Sequence, residues 1–143
     1  MNMMYLSSEI YEEIIKQAEE GYPNEICGII STKSGKVGDV LYKMKNISDH
    51  PRDGFFMDPA EQLKIIKQMR NNGETMCCIY HSHPDVGAYI SKTDDEMAYY
   101  RDVFYLVISV KGGKVDYSKA FYYENDEPKE VKLKLVKAPK TGK

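Results

Sequence analysis

The apolar run over 76–82 ends, without an intervening turn, in His81-Ser82-His83-Pro84. A run this short and this apolar reads as a buried strand rather than a helix, so the histidines sit at a strand's end. Side chains alternate along a strand with a period of two. That aims His81 and His83 the same way, together with Cys77 and Ile79, and lets both imidazoles reach one ion. Two of the chain's three histidines are used here, and after six residues that follow Pro84 comes Ser91-Lys92-Thr93-Asp94.

The rest of the chain supplies the elements that must surround this strand. Ile10, Ile14, Ile15 and Ala18 recur at helical spacing between leading serines and Gly21, which predicts a helix over 8–20. Strands are expected over 26–30 and 37–45. Asp58-Pro59-Ala60-Glu61 reads as a helix start, with Asp58 as N-cap, Pro59 in the first position and Glu61 as the reciprocal cap. That helix should end near Asn71-Asn72-Gly73. Ser91 is the expected N-cap of a third helix through about Arg101, with Asp94 in its first turn. A central strand over 103–110, a hairpin turn at Lys111-Gly112-Gly113-Lys114 and a returning strand over 115–123 follow. Lys132 and Lys134 alternate with Val131, Leu133 and Leu135 in a last strand of the kind that guards a sheet edge, and the end, 137–143, reads as frayed. The expectation is one domain over 1–143, of α/β or α+β class, with about three helices flanking a largely antiparallel or mixed sheet.

Composition matters mainly for what it excludes. Twenty basic against 22 acidic residues give a formal charge of −2, which is not the footprint of a nucleic-acid binder. Three cysteines with no CxxC pair offer neither a disulfide framework nor a structural zinc centre, and a reducing cytoplasm is inferred. The start lacks the n-region and h-region of a signal peptide, and no apolar run approaches the ~20 residues of a membrane span.

A catalytic zinc site takes three protein ligands and leaves a fourth position for water. His81, His83 and Asp94 form such a set, and zinc in it would lower the pKa of water from about 15.7 to around 7. A carboxylate outside the set must then take the proton and pass it to the leaving group. Glu25 is the candidate, because a charged side chain at the start of an apolar strand can reach a cleft. Ser91 offers a hydroxyl to the developing oxyanion. Other readings remain open at this point. Two histidines and a carboxylate also form the facial triad of nonhaem iron enzymes. Cys27 shares a strand face with Glu25 and could act as a thiol nucleophile with His81 or His83 as base, although a buried free cysteine is the simpler reading. Cys77 and Cys78 should point to opposite sides of their strand. Asp95 diverges from Asp94 by about 100° on a helix and reads as solvated, and His50 as a loop residue. Tyr80 and Tyr89 bracket the histidines as candidate walls of a substrate groove. A cytidine deaminase is disfavoured, since its HxE and PCxxC residues are absent.

Taken together, Glu25, His81-x-His83-Pro84 and Ser91-x-x-Asp94 resemble the JAMM, or MPN-plus, metallopeptidases. Pro23-Asn24-Glu25-Ile26-Cys27-Gly28-Ile29-Ile30 and Met57-Asp58-Pro59 are similar to the strand and second-helix entry of the compact prokaryotic members, and nearly the whole chain can be laid onto that domain. The resemblance implies a cytidine-deaminase-like core and one Zn2+ per chain on His81, His83 and Asp94. It implies Glu25 as general base and Ser91 as oxyanion stabiliser. It further implies hydrolysis of the peptide or isopeptide bond after the C-terminal Gly-Gly of a ubiquitin-like or sulfur-carrier protein, while the charge balance and the lack of an apolar span argue against a nucleic acid or membrane as partner. Ile90 departs from the family, where proline is common before the serine. The alternative is a non-catalytic module of the same fold that docks an extended tail on its sheet edge. Glycine in such a tail would let the backbone approach a metal closely.

Overall fold

A computed structural model describes residues 2–137. The apolar runs become the strands of one eight-stranded sheet: β1 (Met3–Ser7), β2 (Cys27–Thr32), β3 (Val37–Gly38), β4 (Val40–Met44), β5 (Thr75–Pro84), β6 (Phe104–Lys111), β7 (Lys114–Glu124) and β8 (Glu127–Val136). Their order is β3-β1-β8-β7-β6-β5-β2-β4, with β1–β3, β1–β8 and β5–β6 parallel and the other pairs antiparallel. The helices are α1 (Ser8–Gly21), α2 (Pro59–Asn71) and α3 (Lys92–Glu96). This is the mixed α+β fold that the element pattern implied.

The sheet separates two cores. On one face Ile14 and Ala18 of α1 pack with Met4, Leu6, Cys78, Tyr80, Leu106 and Ile108. On the other, Met69 of α2 and the buried Met57, Ala88 and Ala98 lie over Cys27, Ile29, Ile79 and Val107. A close approach requires glycine at position 28: a Cβ there would sit 2.3 Å from the hydroxyl and 2.5 Å from the ring of fully buried Tyr80. The hairpin between β6 and β7 turns through Gly112 and Gly113, at φ of 58° and 89°, the left-handed pair that matches strand twist.

Several local expectations yield to tertiary pairing. The strand expected over 37–45 breaks at Asp39, whose N–H donates to the Ser31 carbonyl at 3.1 Å. Its halves then join opposite ends of the sheet, so the sheet curls far enough to bring those ends together. The lysine-bearing last strand is not an edge. β8 lies between β7 and the N-terminal β1, a strand too short to stand out in the sequence, and Lys132 and Lys134 instead mark an exposed face. Cys77 does not share the face of Ile79. Ile30 pairs with Cys78 but Ser31 pairs with Met76, so Cys77 is the extra residue of a β-bulge, and it packs against the same core as Cys78. The third helix stops at Glu96 rather than Arg101, because Arg101 lies 4.0 Å over the ring of Tyr123 and the Tyr105 hydroxyl holds the Tyr100 carbonyl. The end expected to fray falls, apart from Lys137, outside the described residues.

Candidate metal centre

The strand register brings Glu25 to the histidines. In the antiparallel β2–β5 pair Cys27 lies opposite His81, and the contact continues one step beyond β2. Ser82 accepts the Ile26 N–H on its Oγ at 2.9 Å, and its own N–H donates to the Ile26 carbonyl at 3.0 Å. Period-two alternation then turns Glu25 to the face that carries His81 and His83. Ser82, which had no role in the sequence reading, faces the other way and fastens this junction. Asn46 is the second residue missed. Its Nδ2 donates to the carbonyls of Glu25, Pro51 and Gly54 at 2.9, 3.4 and 3.0 Å, and its Oδ1 accepts from Ser48 and Phe56 N–H groups at 3.0 Å each. The loop it gathers sets Phe55 against His81, ring centroids 4.6 Å apart and stacked. A lone asparagine in a turn-rich stretch carries no spacing signal for such a role.

The loop between the histidines and Ser91 is held from β6 and β7. Asp85 donates its N–H to the Val110 carbonyl at 2.6 Å, Ser109 Oγ donates to the Val86 carbonyl at 2.6 Å, and the Ala88 N–H donates to the Tyr117 hydroxyl at 3.0 Å. At its far end Ser91 caps α3 reciprocally: the Asp94 N–H donates to Ser91 Oγ at 3.0 Å and the Ser91 N–H to Asp94 Oδ2 at 3.1 Å. The capping box that suits a helix start thus also orients the carboxylate.

Asp94 Oδ2 lies 3.1 Å from His81 Nε2 and 3.0 Å from His83 Nε2, and the two Nε2 atoms are 3.1 Å apart. His83 Nδ1 lies 2.9 Å from the Gly87 carbonyl, to which it must donate, leaving Nε2 with its lone pair facing the carboxylate. Three polar atoms in mutual contact, one of them a carboxylate oxygen, call for positive charge between them. One proton on an Nε2 satisfies only part of the triangle, whereas a cation satisfies all of it. A tetrahedral ion with bonds of about 2.0–2.1 Å sets its ligands about 3.3 Å apart, so a small outward relaxation accommodates one. His81, His83 and Asp94 therefore fit a metal and form a group that could hold it.

Burial shapes the electrostatics. Glu25 is 5% exposed and its Oε1 has no hydrogen-bond partner. Burial pushes this carboxyl up to about 8, with Asp94 adding to the effect and His83 opposing it. Burial lowers the His81 pKa, and its Nδ1 also lacks a partner. For His83 burial again opposes charge and is the largest single effect, but the hydrogen bonds to Asp94 and the Gly87 carbonyl together with the charges of Asp94 and Glu25 outweigh it, and the pKa rises. Asp94 is held well below the usual carboxylate range, the two histidines overcoming its desolvation.

The remaining candidates separate clearly. Cys27 is fully buried beside the site, and burial pushes its thiol up to about 12, far from a reactive thiolate. Tyr80 belongs to the opposite core and donates its hydroxyl to Gln17 Oε1 at 2.6 Å, so it lines no groove. Tyr89 stays half exposed, edge-on to His83 with centroids 5.0 Å apart. Asp95 is not merely solvated: it accepts from the Tyr123 hydroxyl at 2.7 Å and pairs with Arg101 at 3.7 Å. His50 remains in its exposed loop.

Comparison with known proteins places these features in context. The family described as prokaryotic homologs of the JAB domain matches residues 7–122. The desampylase of Haloferax volcanii is 29% identical over 112 residues, 75% of this chain and 81% of that protein. The CysO-cysteine peptidase of Mycobacterium tuberculosis is 25% identical over 109 residues, 76% and 75% of the two chains. A protein from Desulfitobacterium hafniense solved in solution superposes with a TM-score of 0.82 at 32% identity, covering 96% of each chain.

Proposed function

Because the chain belongs to the prokaryotic homologs of the JAB domain, a hydrolase family of JAMM type, we propose that it is a zinc-dependent peptidase or isopeptidase. Its substrate is a ubiquitin-like or sulfur-carrier protein, cut after a C-terminal Gly-Gly. The observation that carries this reading is the triangle of His81 Nε2, His83 Nε2 and Asp94 Oδ2, with edges of 3.0–3.1 Å, beside the buried carboxyl of Glu25. The relatives named desampylase and CysO-cysteine peptidase support the substrate class. A docking module without turnover needs neither three converging ligand atoms nor a partnerless buried acid.

His81, His83 and Asp94 would hold one zinc per chain, which would supply Lewis acidity towards the scissile carbonyl and water. Glu25 Oε1, free of any partner, accepts the proton of the attacking water and delivers it to the leaving nitrogen. Burial raises this carboxyl to about 8 in the metal-free chain, and the positive charge of a bound cation would lower it towards the range in which the group can take a proton and give it back. Ser91 Oγ accepts from the Asp94 N–H and keeps its own proton for the oxyanion, a contact typically worth about 2.7–4 kcal/mol in the transition state. The unpaired thiols Cys27, Cys77 and Cys78 support action in the cytoplasm, and no helix among the described residues is long and apolar enough to cross a membrane.

The test incubates zinc-loaded protein with carriers extended beyond Gly-Gly and follows intact mass. Loss of the extension is expected with wild type and not with Glu25→Gln at equal zinc content. Cleavage at the wild-type rate by Glu25→Gln removes Glu25 as base, and stoichiometric iron with oxygen consumption in aerobically purified protein removes zinc hydrolysis.

A further inference from the structure

His81 and Asp94 of the ligand triangle also line an apolar cavity that neither His83 nor Glu25 borders. Core residues close its floor: Met57, Ile79, Ala98 and Tyr105 are 5%, 9%, 5% and 5% exposed. Phe55, stacked on His81, and Ile90 form walls, and the exposed Phe56 and Tyr99 stand at the rim. Apart from the two ligands, Gln62 is the one lining residue that is neither aliphatic nor aromatic, and its amide already donates to the Met57 carbonyl at 3.2 Å.

We propose that this cavity receives the side chain of the first residue after the scissile bond and selects an apolar or aromatic one. The inference rests on the peptidase reading above. Because metal ligands form part of the cavity wall, its occupant must belong to a residue flanking the cleaved bond. The residue before that bond is glycine, which has no side chain to offer, so the occupant lies on the leaving-group side. A charged side chain would lose its water there without gaining a partner. The closed floor also rules on linkage. A lysine joined through its side chain to a second protein has to run onward to that protein's backbone, and buried core blocks the way. The substrate class selected is therefore a carrier with a C-terminal peptide extension that begins with an apolar residue, in preference to a lysine-linked conjugate.

The experiment compares zinc-loaded protein on one carrier ending in Gly-Gly-Xaa, where Xaa is Phe, Met, Ala or Asp, and on the same carrier joined through Gly-Gly to the side-chain amine of a lysine peptide. Phe and Met substrates should exceed Ala in kcat/KM by about 10-fold, since a cavity of about 70 Å³ takes in part of a large apolar side chain, with Asp and the lysine conjugate lowest. Ala98→Leu, which fills the floor, should erase the preference for Phe and Met over Ala. Tyr99→Ala, at the exposed rim, should reduce the preference without risk to the core. In Glu25→Gln protein, the Phe-extended carrier should shift the methyl resonances of Ile79, Ile90 and Ala98, and the Ala-extended carrier should not. Equal kcat/KM for Phe, Ala and Asp, or a lysine conjugate cut faster than the Phe substrate, overturns the cavity assignment and leaves the peptidase reading standing. Cleavage of none of them by zinc-loaded protein overturns both.

Discussion

Replacing Glu25 by glutamine should stabilise the metal-free protein at alkaline pH even as it removes turnover. The folded protein holds the Glu25 proton until about pH 8, against an ordinary value of 4.5, because burial penalises the carboxylate. An unfolded chain releases that proton near 4.5, so between the two values the folded state carries one proton more. Stability is then complete below the unfolded pKa, falls as pH rises through the window, and levels off above the folded pKa. The slope is about 1.4 kcal/mol per pH unit, which across the interval from 4.5 to about 8 amounts to a loss on the order of 4–5 kcal/mol, a large share of a typical domain's stability. Glutamine has no such proton. Urea unfolding of both proteins in a metal chelator at pH 5, 6, 7 and 8 measures the difference, and because His83 and Asp94 titrate in both, the pH dependence of that difference isolates Glu25. The variant should gain on wild type with each step towards pH 8. A difference that stays constant with pH would falsify the burial argument and, with it, the account of why this acid is poised near neutrality.

Three further outcomes test the supports of the site. Asn46→Ala removes five hydrogen bonds, one to the Glu25 carbonyl and four within the loop that carries Phe55; at about 0.5–1.5 kcal/mol for each bond, moderated by water at exposed groups, denaturation should show a loss of about 2–4 kcal/mol, with kcat reduced and metal content unchanged. Ser91→Ala should lose about 1 kcal/mol of helix capping and about 10²–10³ in kcat, whereas Ser91→Thr should recover most of both; a Ser91→Ala enzyme of normal kcat excludes the oxyanion role. Iodoacetamide at pH 8 should leave Cys27 unlabelled and activity intact, since the thiol is buried and pushed up to about 12; inactivation that follows Cys27 labelling in mass spectra brings back a thiol nucleophile.

Much of the fold could be read from the chain because its signals are local. Ile10, Ile14 and Ala18 mark one face of α1, Asp58 accepts the Glu61 N–H at the start of α2, and the paired glycines turn the β6–β7 hairpin. What escaped is non-local. β1 has five residues and no turn signal to bound it, and it exists because β8 and β3 pair with it. The Cys77 bulge arises from a mismatch between two strands far apart in sequence, and the early end of α3 from contacts with β7. In each case the local preference is a few tenths of a kcal/mol per residue, less than what packing and ladder hydrogen bonds contribute.

By itself the sequence determined the identity and spacing of the three candidate ligands, since strand alternation alone aims His81 and His83 together and the Ser91-x-x-Asp94 cap alone orients a carboxylate. Only the tertiary structure decided that Glu25 joins them, through the Ile26–Ser82 hydrogen bonds that close an antiparallel register across 56 residues, and that an apolar cavity opens beside His81 and Asp94. The physical reason is one of range. Dihedral preference and side-chain period act over a few residues and are written into neighbouring letters, whereas strand register and cavity shape follow from which buried surfaces meet, and no short stretch of this chain contains both partners.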